Sequence, residues 1–532
     1  MKLHGQNFTG DELSAGAGEI FHAISPLDNR PLDPAFHTAT EEEIHSAMEL
    51  AQAACDGYRD RTNEERAIFL ERIADEIMAL GHDLITRAHL ETGLPKNRLT
   101  SERARTVHQF KLFAELVREG SWVDARIDTG IPDRQPVPKP DLRRMLIPIG
   151  PVIVFGASNF PFAYSVAGGD TAAALAAGNP VVVKAHERHP GTSELTAVAV
   201  RRAVNACGLP EGAFSMLHGL GKTVGLALVR HPLACAVGFT GSRGAGRALF
   251  DAAAARPEPI PVFAEMSSLN PIFILPEALR AHGERIADGL KESVTSGAGQ
   301  FCTKPGLVFG LEGDEFERFE QSLAQLLKRV EPATMLHGGI SESYHKGLDR
   351  VSATSGVKWL ARSEKRPDVQ KTHAESVLVS TDAKTFRRNP GLAEEVFGPF
   401  SILISAPDIS ELEEIARNLE GQLTATVHGT PGDFQKAEKL LRLLEARAGR
   451  LILNGYPTGV EVCPAMNHGG PYPATTDARF TSVGTASIYR FARPICYQNF
   501  PPAMLPLALR DENPLGIRRI VNGVSTVEPV GA

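Results

Sequence analysis

The sequence predicts an α/β protein with a Rossmann-like parallel sheet at its start and a second α/β domain after it. Three observations carry that expectation. From Pro151 onward, short β-branched runs recur at intervals of roughly 30 residues, the spacing of right-handed βαβ units. Ala-rich stretches of helical character fill the intervals, and parallel strands require such crossovers. After Glu265 a second alternation of apolar runs and amphipathic stretches begins.

Composition narrows the function classes. A chain of 532 residues, 42% hydrophobic and 22% charged, has room for several domains and a large core. Fifty-six basic against 63 acidic residues give a net charge of -7 without any run of like charge, so neither nucleic acid nor a membrane is an expected partner. Residues 1–20 carry Asp11, Glu12 and Glu19 with no apolar core, and no stretch approaches the roughly 18 apolar residues of a spanning helix, so the expected compartment is the cytoplasm. Six widely spaced cysteines (Cys55, Cys207, Cys235, Cys302, Cys463, Cys496) include no C-x-x-C pair. That spacing suits neither a disulfide framework nor a zinc site, and no metal is expected.

Taken in chain order, the first 120 residues read as an irregular lead followed by helices. Thr40-Glu41-Glu42-Glu43 and Thr62-Asn63-Glu64-Glu65 are capping-box patterns. Behind the second, Phe69, Ile73 and Ile77 form a stripe at helical spacing that should pack on a sheet. Four prolines in 131–140 block helix and central strand alike, marking an exposed connection. The β-branched runs are 151–155, 180–184, 213–217, 234–239 and 260–263. The second alternation places strands at 272–275 and 307–309, helices over 280–296 and 314–330, and further strands around Leu403, Ala425 and Leu451. Residues 479–520, rich in aromatics and proline, suit an arm that packs on a partner subunit.

Three motifs fail on spacing. Gly219-Leu-Gly221-Lys222-Thr223 has Met216 where a P-loop needs its first glycine, His186 and His189 are three rather than four apart, and Gly156-Ala-Ser158-Asn159 lacks the second glycine of a nucleophile elbow. What remains converges on chemistry at sulfur. Cys302 sits in a glycine-bounded segment, Gly297 to Gly306, where the backbone can turn sharply, with Lys304 as a nearby cation able to favour the thiolate. Asn159 and Glu265 each follow a predicted parallel strand, where open α/β sheets place ligands. Together the three offer a nucleophile, an oxyanion donor and a general base.

These residues carry a family resemblance. Asn159-Phe160-Pro161, Lys184-x-x-Glu187, Phe239-Thr240-Gly241-Ser242-x-x-x-Gly246, Glu265, Gly299-Gln300-x-Cys302 and Glu394-Glu395-x-Phe397-Gly398-Pro399 resemble, in order and rough spacing, the NAD(P)-dependent aldehyde dehydrogenase superfamily. Glu91-Thr92-Gly93-Leu94-Pro95 looks like an early segment of the same family. Departures narrow the branch: Ser158 replaces the usual Trp, and Glu265-Met-Ser-Ser-Leu269 replaces E-L-G-G-K. With Asn454-Gly-Tyr-Pro-Thr-Gly-Val-Glu461 and His468-Gly-Gly-Pro-Tyr-Pro-Ala-Thr475, these resemble the branch of α-ketoglutaric semialdehyde (2,5-dioxopentanoate) dehydrogenases and the bacterial fatty aldehyde dehydrogenase.

The resemblance implies the aldehyde dehydrogenase fold, with residues 1–127 and 142–265 as the NAD(P)-binding domain, 266–475 as the catalytic domain, and 128–141 with 476–532 as an oligomerisation and bridging region. It implies that Cys302 attacks the aldehyde, that Asn159 and the Cys302 N–H hold the oxyanion, and that Glu265 activates water. Lys184 and Glu187 are expected at the adenosine ribose, Gly241, Ser242 and Gly246 at the diphosphate, and Glu395 and Phe397 at the nicotinamide ribose. Glu187 argues for NAD, whereas Lys222, with Lys184, is placed to clamp a 2′-phosphate, and the expectation leans to NADP. For the substrate, Phe160, Gln109 and Arg105 are expected near the tunnel, Arg105 as the partner of a distal carboxylate. The expected activity is oxidation of α-ketoglutaric semialdehyde by a homodimer or homotetramer. The alternatives are a medium- or long-chain aldehyde dehydrogenase with the same machinery, and a non-catalytic protein derived from the fold. The latter would have lost one of Cys302, Asn159 and Glu265.

Overall fold

Thr40 and Thr62 each open a helix. Each hydroxyl accepts from the N–H of the glutamate three residues on, and that glutamate accepts from the threonine N–H. Two orphan donors are satisfied at each start. The computed structural model, which describes residues 2–368 and 371–531, thus carries both predicted capping boxes. The stripe Phe69, Ile73 and Ile77 is buried in one core with Leu99, Phe110 and Phe113 of the helix Lys96–Glu119 and with Val152, Val154, Val181 and Val183 of the sheet.

The sheet beneath has seven strands, in the spatial order Val262–Glu265, Ala236–Thr240, Val152–Phe155, Val181–Lys184, Phe214–Leu217, Asn7–Thr9, Glu12–Ser14. The first five are parallel and match the five predicted runs. Chain order reverses beside Val152–Phe155, whose neighbours Val181–Lys184 and Ala236–Thr240 both follow it in the chain and lie on opposite sides of it, and ligands bind outside the carboxyl ends at such a point.

The lead corrects the sequence reading. It is not irregular: Asn7–Thr9 and Glu12–Ser14 extend the sheet antiparallel, and Ile20–Ile24 pairs with Pro31–His37 as a hairpin. Asn7–Thr9 and Glu12–Ser14 are too short to show a period of two, and a register shift between Phe21 and Ala23 breaks it in the hairpin.

The second sheet also has seven strands, in the order Lys358–Arg362, Val377–Asp382, Phe400–Ala406, Leu307–Leu311, Ile272–Ile274, Gln422–His428, Ala448–Leu453. All neighbours are parallel except Lys358–Arg362, an antiparallel edge that, with Val377–Asp382, the sequence reading did not identify.

A third sheet of five strands joins Arg126–Asp128 and Leu142–Pro148, which flank the mostly exposed proline-rich connection, to Ala492–Gln498, Arg519–Val521 and Val524–Thr526. The C-terminal stretch therefore packs on its own chain's hairpin. Leu142–Pro148 lies in this sheet although the expected boundary put residue 142 in the first domain. No helix among the described residues is long and apolar enough to cross a membrane.

Candidate active site

In the first sheet the predicted site residues fall where parallel strands end. Asn159 follows Val152–Phe155, Lys184 ends Val181–Lys184, Gly241 and Ser242 follow Ala236–Thr240, and Glu265 ends Val262–Glu265. Cys302 arrives from the other domain. The helix Pro276–Thr295 stops there, and Gly297, Ala298 and Gly299 turn the chain with φ of 56°, 56° and 66°. At Gly299 a Cβ would lie 2.3 Å from the Gly398 carbonyl, so only glycine allows this loop to lie against the 394–399 segment.

Asn270, itself left-handed at φ 48°, fixes the loop from below. Its Nδ2 donates to the Cys302 and Lys304 carbonyls (2.9 and 3.0 Å), while its Oδ1 accepts from Ser268 and Thr424. The Cys302 N–H makes no hydrogen bond among the described residues. Across the loop, the Asn159 Nδ2 donates to the Gln300 carbonyl at 3.2 Å. The segment after Asn159 is anchored by buried Glu102, which accepts from the Phe162 and Ala163 N–H groups, and by Arg98, which donates to the Asn159 carbonyl. Two donors, the Asn159 amide and the Cys302 N–H, are thus presented beside the thiol, the arrangement an oxyanion needs.

The thiol does not face Glu265 alone. His468 Nε2 lies 3.5 Å from Cys302 Sγ and 3.0 Å from Glu265 Oε1, and the reacting atoms of all three lie within 4.8 Å of one another. His468 Nδ1 is buried without a partner among the described residues, so the imidazole proton belongs on Nε2, donated to the carboxylate. Ser482 Oγ donates to Glu265 Oε2 at 2.6 Å, and Thr481 Oγ1 accepts from the His468 N–H. Burial works to raise the Glu265 pKa. The His468 ring and the hydrogen bonds from His468 and Ser482 outweigh it and leave the carboxyl below its ordinary range. Burial, followed by the Glu265 charge, pushes the Cys302 thiol well up, with Arg105 pulling the other way.

Lys304 does not serve as expected. Its Nζ donates to the Val396 and Phe400 carbonyls (3.2 and 2.9 Å) and burial lowers its pKa to about 8. The ammonium thus ties the Cys302 loop to the 396–400 segment.

A cleft of about 940 Å³ opens along the strand ends, lined by Ser242, Arg243, Ser267, Leu269 and Glu395 among others. Ser242 caps the helix Arg243–Ala254, accepting from Ala245 N–H, so the helix N-terminus points into the cleft. Such an end suits an anion. Gly241 packs on the Phe239 ring, and Gly246 is buried against Met266 rather than open to the cleft. Glu395 is raised by burial against the help of Ser267 and Lys304. Phe397 is half-buried on the same segment.

Lys184 and Glu187 pair with each other at 2.7 Å, and despite burial the ammonium and His186 pull the Glu187 carboxyl down to about 2. Of the two cations expected at a 2′-phosphate, Lys184 has a counter-charge in Glu187, while Lys222 is exposed in the turn Gly221–Gly225.

On the substrate side Phe160 stacks edge-on with Phe301, the residue before Cys302, and with Tyr164, and Arg98 lies over both phenyl rings. Arg105 donates to the Val460 carbonyl and the Tyr164 hydroxyl. Arg450, unnoticed in the sequence, donates to the Pro457 and Gly459 carbonyls of the same loop, and burial lowers its pKa, with the Cys302 and Tyr164 charges pulling the other way. Gln109 is buried against Gly169 with its Nε2 unpartnered among the described residues.

Sequence reasoning also missed His468, Ser482, Asn270 and Glu102. His468 lay in a quoted motif, but a separation of 166 residues from Cys302 hid the contact.

A family model described as "Aldehyde dehydrogenase family" matches residues 14–472. Among curated proteins, alpha-ketoglutaric semialdehyde dehydrogenase 2 of Azospirillum brasilense is 50% identical over 525 residues, covering 98% of this chain and 99% of that protein. Alpha-ketoglutaric semialdehyde dehydrogenase of Acinetobacter baylyi is 46% identical, with coverage of 98% and 99%. Among solved structures, 1-pyrroline-5-carboxylate dehydrogenase from Thermus with bound NAD superposes with a TM-score of 0.79 at 20% identity over 93% of each chain. Betaine aldehyde dehydrogenase from Staphylococcus aureus with NAD+ gives the same TM-score and identity over 93% of this chain and 95% of that one.

Proposed function

The chain belongs to the aldehyde dehydrogenase family and is an oxidoreductase that acts on aldehydes with NAD(P); on that premise we propose that it oxidises α-ketoglutaric semialdehyde to 2-oxoglutarate at Cys302. The observation that carries the chemistry is the contact of Cys302 with His468 and Glu265, made from a loop that also meets the Asn159 amide and presents the Cys302 N–H. The substrate rests on the two relatives at 46–50% identity over nearly the whole chain.

Glu265 takes the thiol proton, and the His468 N–H, within reach of both carboxylate and sulfur, stabilises whichever carries the negative charge. The thiolate adds to the aldehyde carbon, and the Asn159 amide and Cys302 N–H hold the resulting oxyanion. When bound, NAD(P)+ supplies the hydride acceptor. Loss of hydride from that carbon leaves a thioester on Cys302. Glu265, having released its first proton to solvent, takes one from the water that hydrolyses the thioester.

The strand ends fit the cofactor: the Ser242 helix end and Glu395, which line the cleft, would hold its diphosphate and nicotinamide ribose, with Phe397 beside Glu395 on the same segment and Glu187, beyond the cleft lining, at the other ribose. Between the coenzymes, the Lys184–Glu187 pair supports NAD, since its carboxylate accepts from ribose hydroxyls and opposes a 2′-phosphate. This reverses the lean drawn from Lys222. Arg105 and Arg450, neither in an ion pair among the described residues, support an oxo-acid substrate over a fatty aldehyde, whose tunnel would be apolar. Self-association through the third sheet is supported by Ala492–Gln498, an edge strand with one side unpaired, and the expected form is a homodimer or homotetramer. The expected compartment is the cytoplasm, where the NAD(P) pool is available to it.

The test is steady-state NAD(P)H formation with α-ketoglutaric semialdehyde, glutaric semialdehyde and decanal, each with NAD and NADP, alongside Cys302→Ala. The keto-acid semialdehyde with NAD should lead in kcat/KM and the variant should be inert. A lead for decanal would overturn the substrate, and equal inactivity of both proteins would overturn the chemistry.

A further inference from the structure

We propose that Cys302, His468 and Glu265 form a reversible binding site for zinc or a similar thiophilic divalent cation, whose occupancy switches the enzyme off. Among the described residues this is the group of cysteine, histidine and acidic side chains whose donor atoms converge closely enough to share an ion. The three donors are of different kinds, and all are common zinc ligands.

The spacing fits. Zinc bonds of about 2.3 Å to sulfur and about 2.0–2.2 Å to nitrogen and oxygen, in a tetrahedron, put sulfur and nitrogen about 3.5 Å apart and nitrogen and oxygen about 3.4 Å apart. The observed separations are 3.5 and 3.0 Å, so the sulfur and nitrogen already stand at zinc spacing, while the Glu265 oxygen has to move off the nitrogen by a few tenths of an ångström and settle about 3.6 Å from the sulfur, which now lies within 4.8 Å of it. Ser482 already holds the other carboxylate oxygen, which orients Oε1 as the ligating atom.

Charge fits as well. A thiolate and a carboxylate within 4.8 Å of each other in a buried site repel. A dication between them with neutral imidazole makes the cluster electrically neutral, the condition under which buried charges persist. On binding, the thiol proton and the imidazole Nε2 proton pass to solvent, and the imidazole stays neutral by taking a proton at Nδ1. Three protein ligands leave a fourth position for water. Nδ1 meets no acceptor among the described residues, whereas ligating histidines in tight sites donate that proton to one. This omission makes the site releasable rather than structural. The consequence for catalysis rests on the reading of Cys302 as nucleophile and Glu265 as base. The binding itself does not.

The experiment is titration of the metal-free enzyme with Co2+ in the absence of aldehyde, followed by its near-ultraviolet thiolate charge-transfer band and by tetrahedral d–d bands in the visible. A single ion per chain should bind. Cys302→Ser should abolish the charge-transfer band, Cys496→Ser should leave it unchanged, and His468→Gln and Glu265→Gln should each weaken binding at least about tenfold. Thermal unfolding of each variant confirms that it is folded, and protection of Cys302 from iodoacetamide by Zn2+ in the wild-type enzyme gives a readout independent of any variant. Zn2+ should suppress aldehyde oxidation and EDTA should restore it. A band that survives Cys302→Ser, binding unaffected by His468→Gln, or alkylation unslowed by Zn2+ would overturn the site. Failure of the dehydrogenase reading would appear separately, as an inactive metal-free enzyme that still binds cobalt.

Discussion

Asn159 is held by Gln300 on one side and by Arg98 on the other, so its amide is fixed before substrate arrives. Removing one such preorganised donor costs about 10²- to 10³-fold in turnover. Asn159→Ala should lower kcat by that factor with KM much less affected, and single-turnover kinetics will read it. An unchanged kcat would remove Asn159 from the oxyanion site. Glu187 makes a different prediction. Its carboxyl, drawn down to about 2, carries full charge at neutral pH and opposes a 2′-phosphate. Glu187→Gln should shift the NAD/NADP ratio of kcat/KM toward NADP by about tenfold, a change of about 1.4 kcal/mol. At this scale Cys302, Asn159 and Glu265 could be read from the sequence because each stands in a local pattern next to a glycine turn or a strand end. His468 could not, because no local pattern signals a contact made across 203 residues to Glu265. Nor could the orientation of Lys304, which depends on the carbonyls of a segment about 90 residues away.

The turn at 297–299 is the element on which Cys302 depends. Adding a methyl at Gly299 forces a left-handed residue with a Cβ into the Gly398 carbonyl. Left-handed backbone costs about 1–2 kcal/mol and overpacking about 1–3 more. Gly299→Ala should therefore lower the thermal midpoint and kcat together, whereas Gly283→Ala, with nothing near its added Cβ, should do neither. Equal midpoints for the two variants would contradict the close approach. Elements with a strong period or cap were legible: the helices Glu41–Arg59 and Asn63–Ala79, and the five parallel strands. The lead strands and the edge strand Lys358–Arg362 were not, because three residues in Asn7–Thr9 and Glu12–Ser14, a register shift between Phe21 and Ala23 in the hairpin, and a bulge between Trp359 and Ala361 leave no usable pattern.

Across the whole molecule, histidines held neutral by burial or partial burial contribute to the loss of stability in acid. Burial, with Arg285 facing it, lowers the His428 pKa to about 4, and His337 is likewise lowered to about 4 by burial and Arg188. The unfolded chain protonates them near 6.5 while the folded protein does not. Their contribution is therefore complete above pH 6.5 and is lost as pH falls toward 4. For His428 the full shift corresponds to about 3 kcal/mol. Denaturant midpoints at pH 7 and pH 4.5 should fall more steeply for the wild type than for His428→Gln, and parallel slopes would refute this assignment.

The three sheets also impose an order on synthesis. Glu265 is clasped by the 474–482 stretch, through Met266 N–H to the Ala474 carbonyl, Thr476 to the strand Val262–Glu265, and Ser482 to the carboxylate itself. A ribosome that has just placed Cys302 still has 166 residues to add before His468 exists, roughly ten to thirty seconds of elongation. For that interval the nascent chain carries its nucleophile without the base assembly that gives it a task. A chain cut short before residue 468 is therefore expected to be inert as well as incomplete.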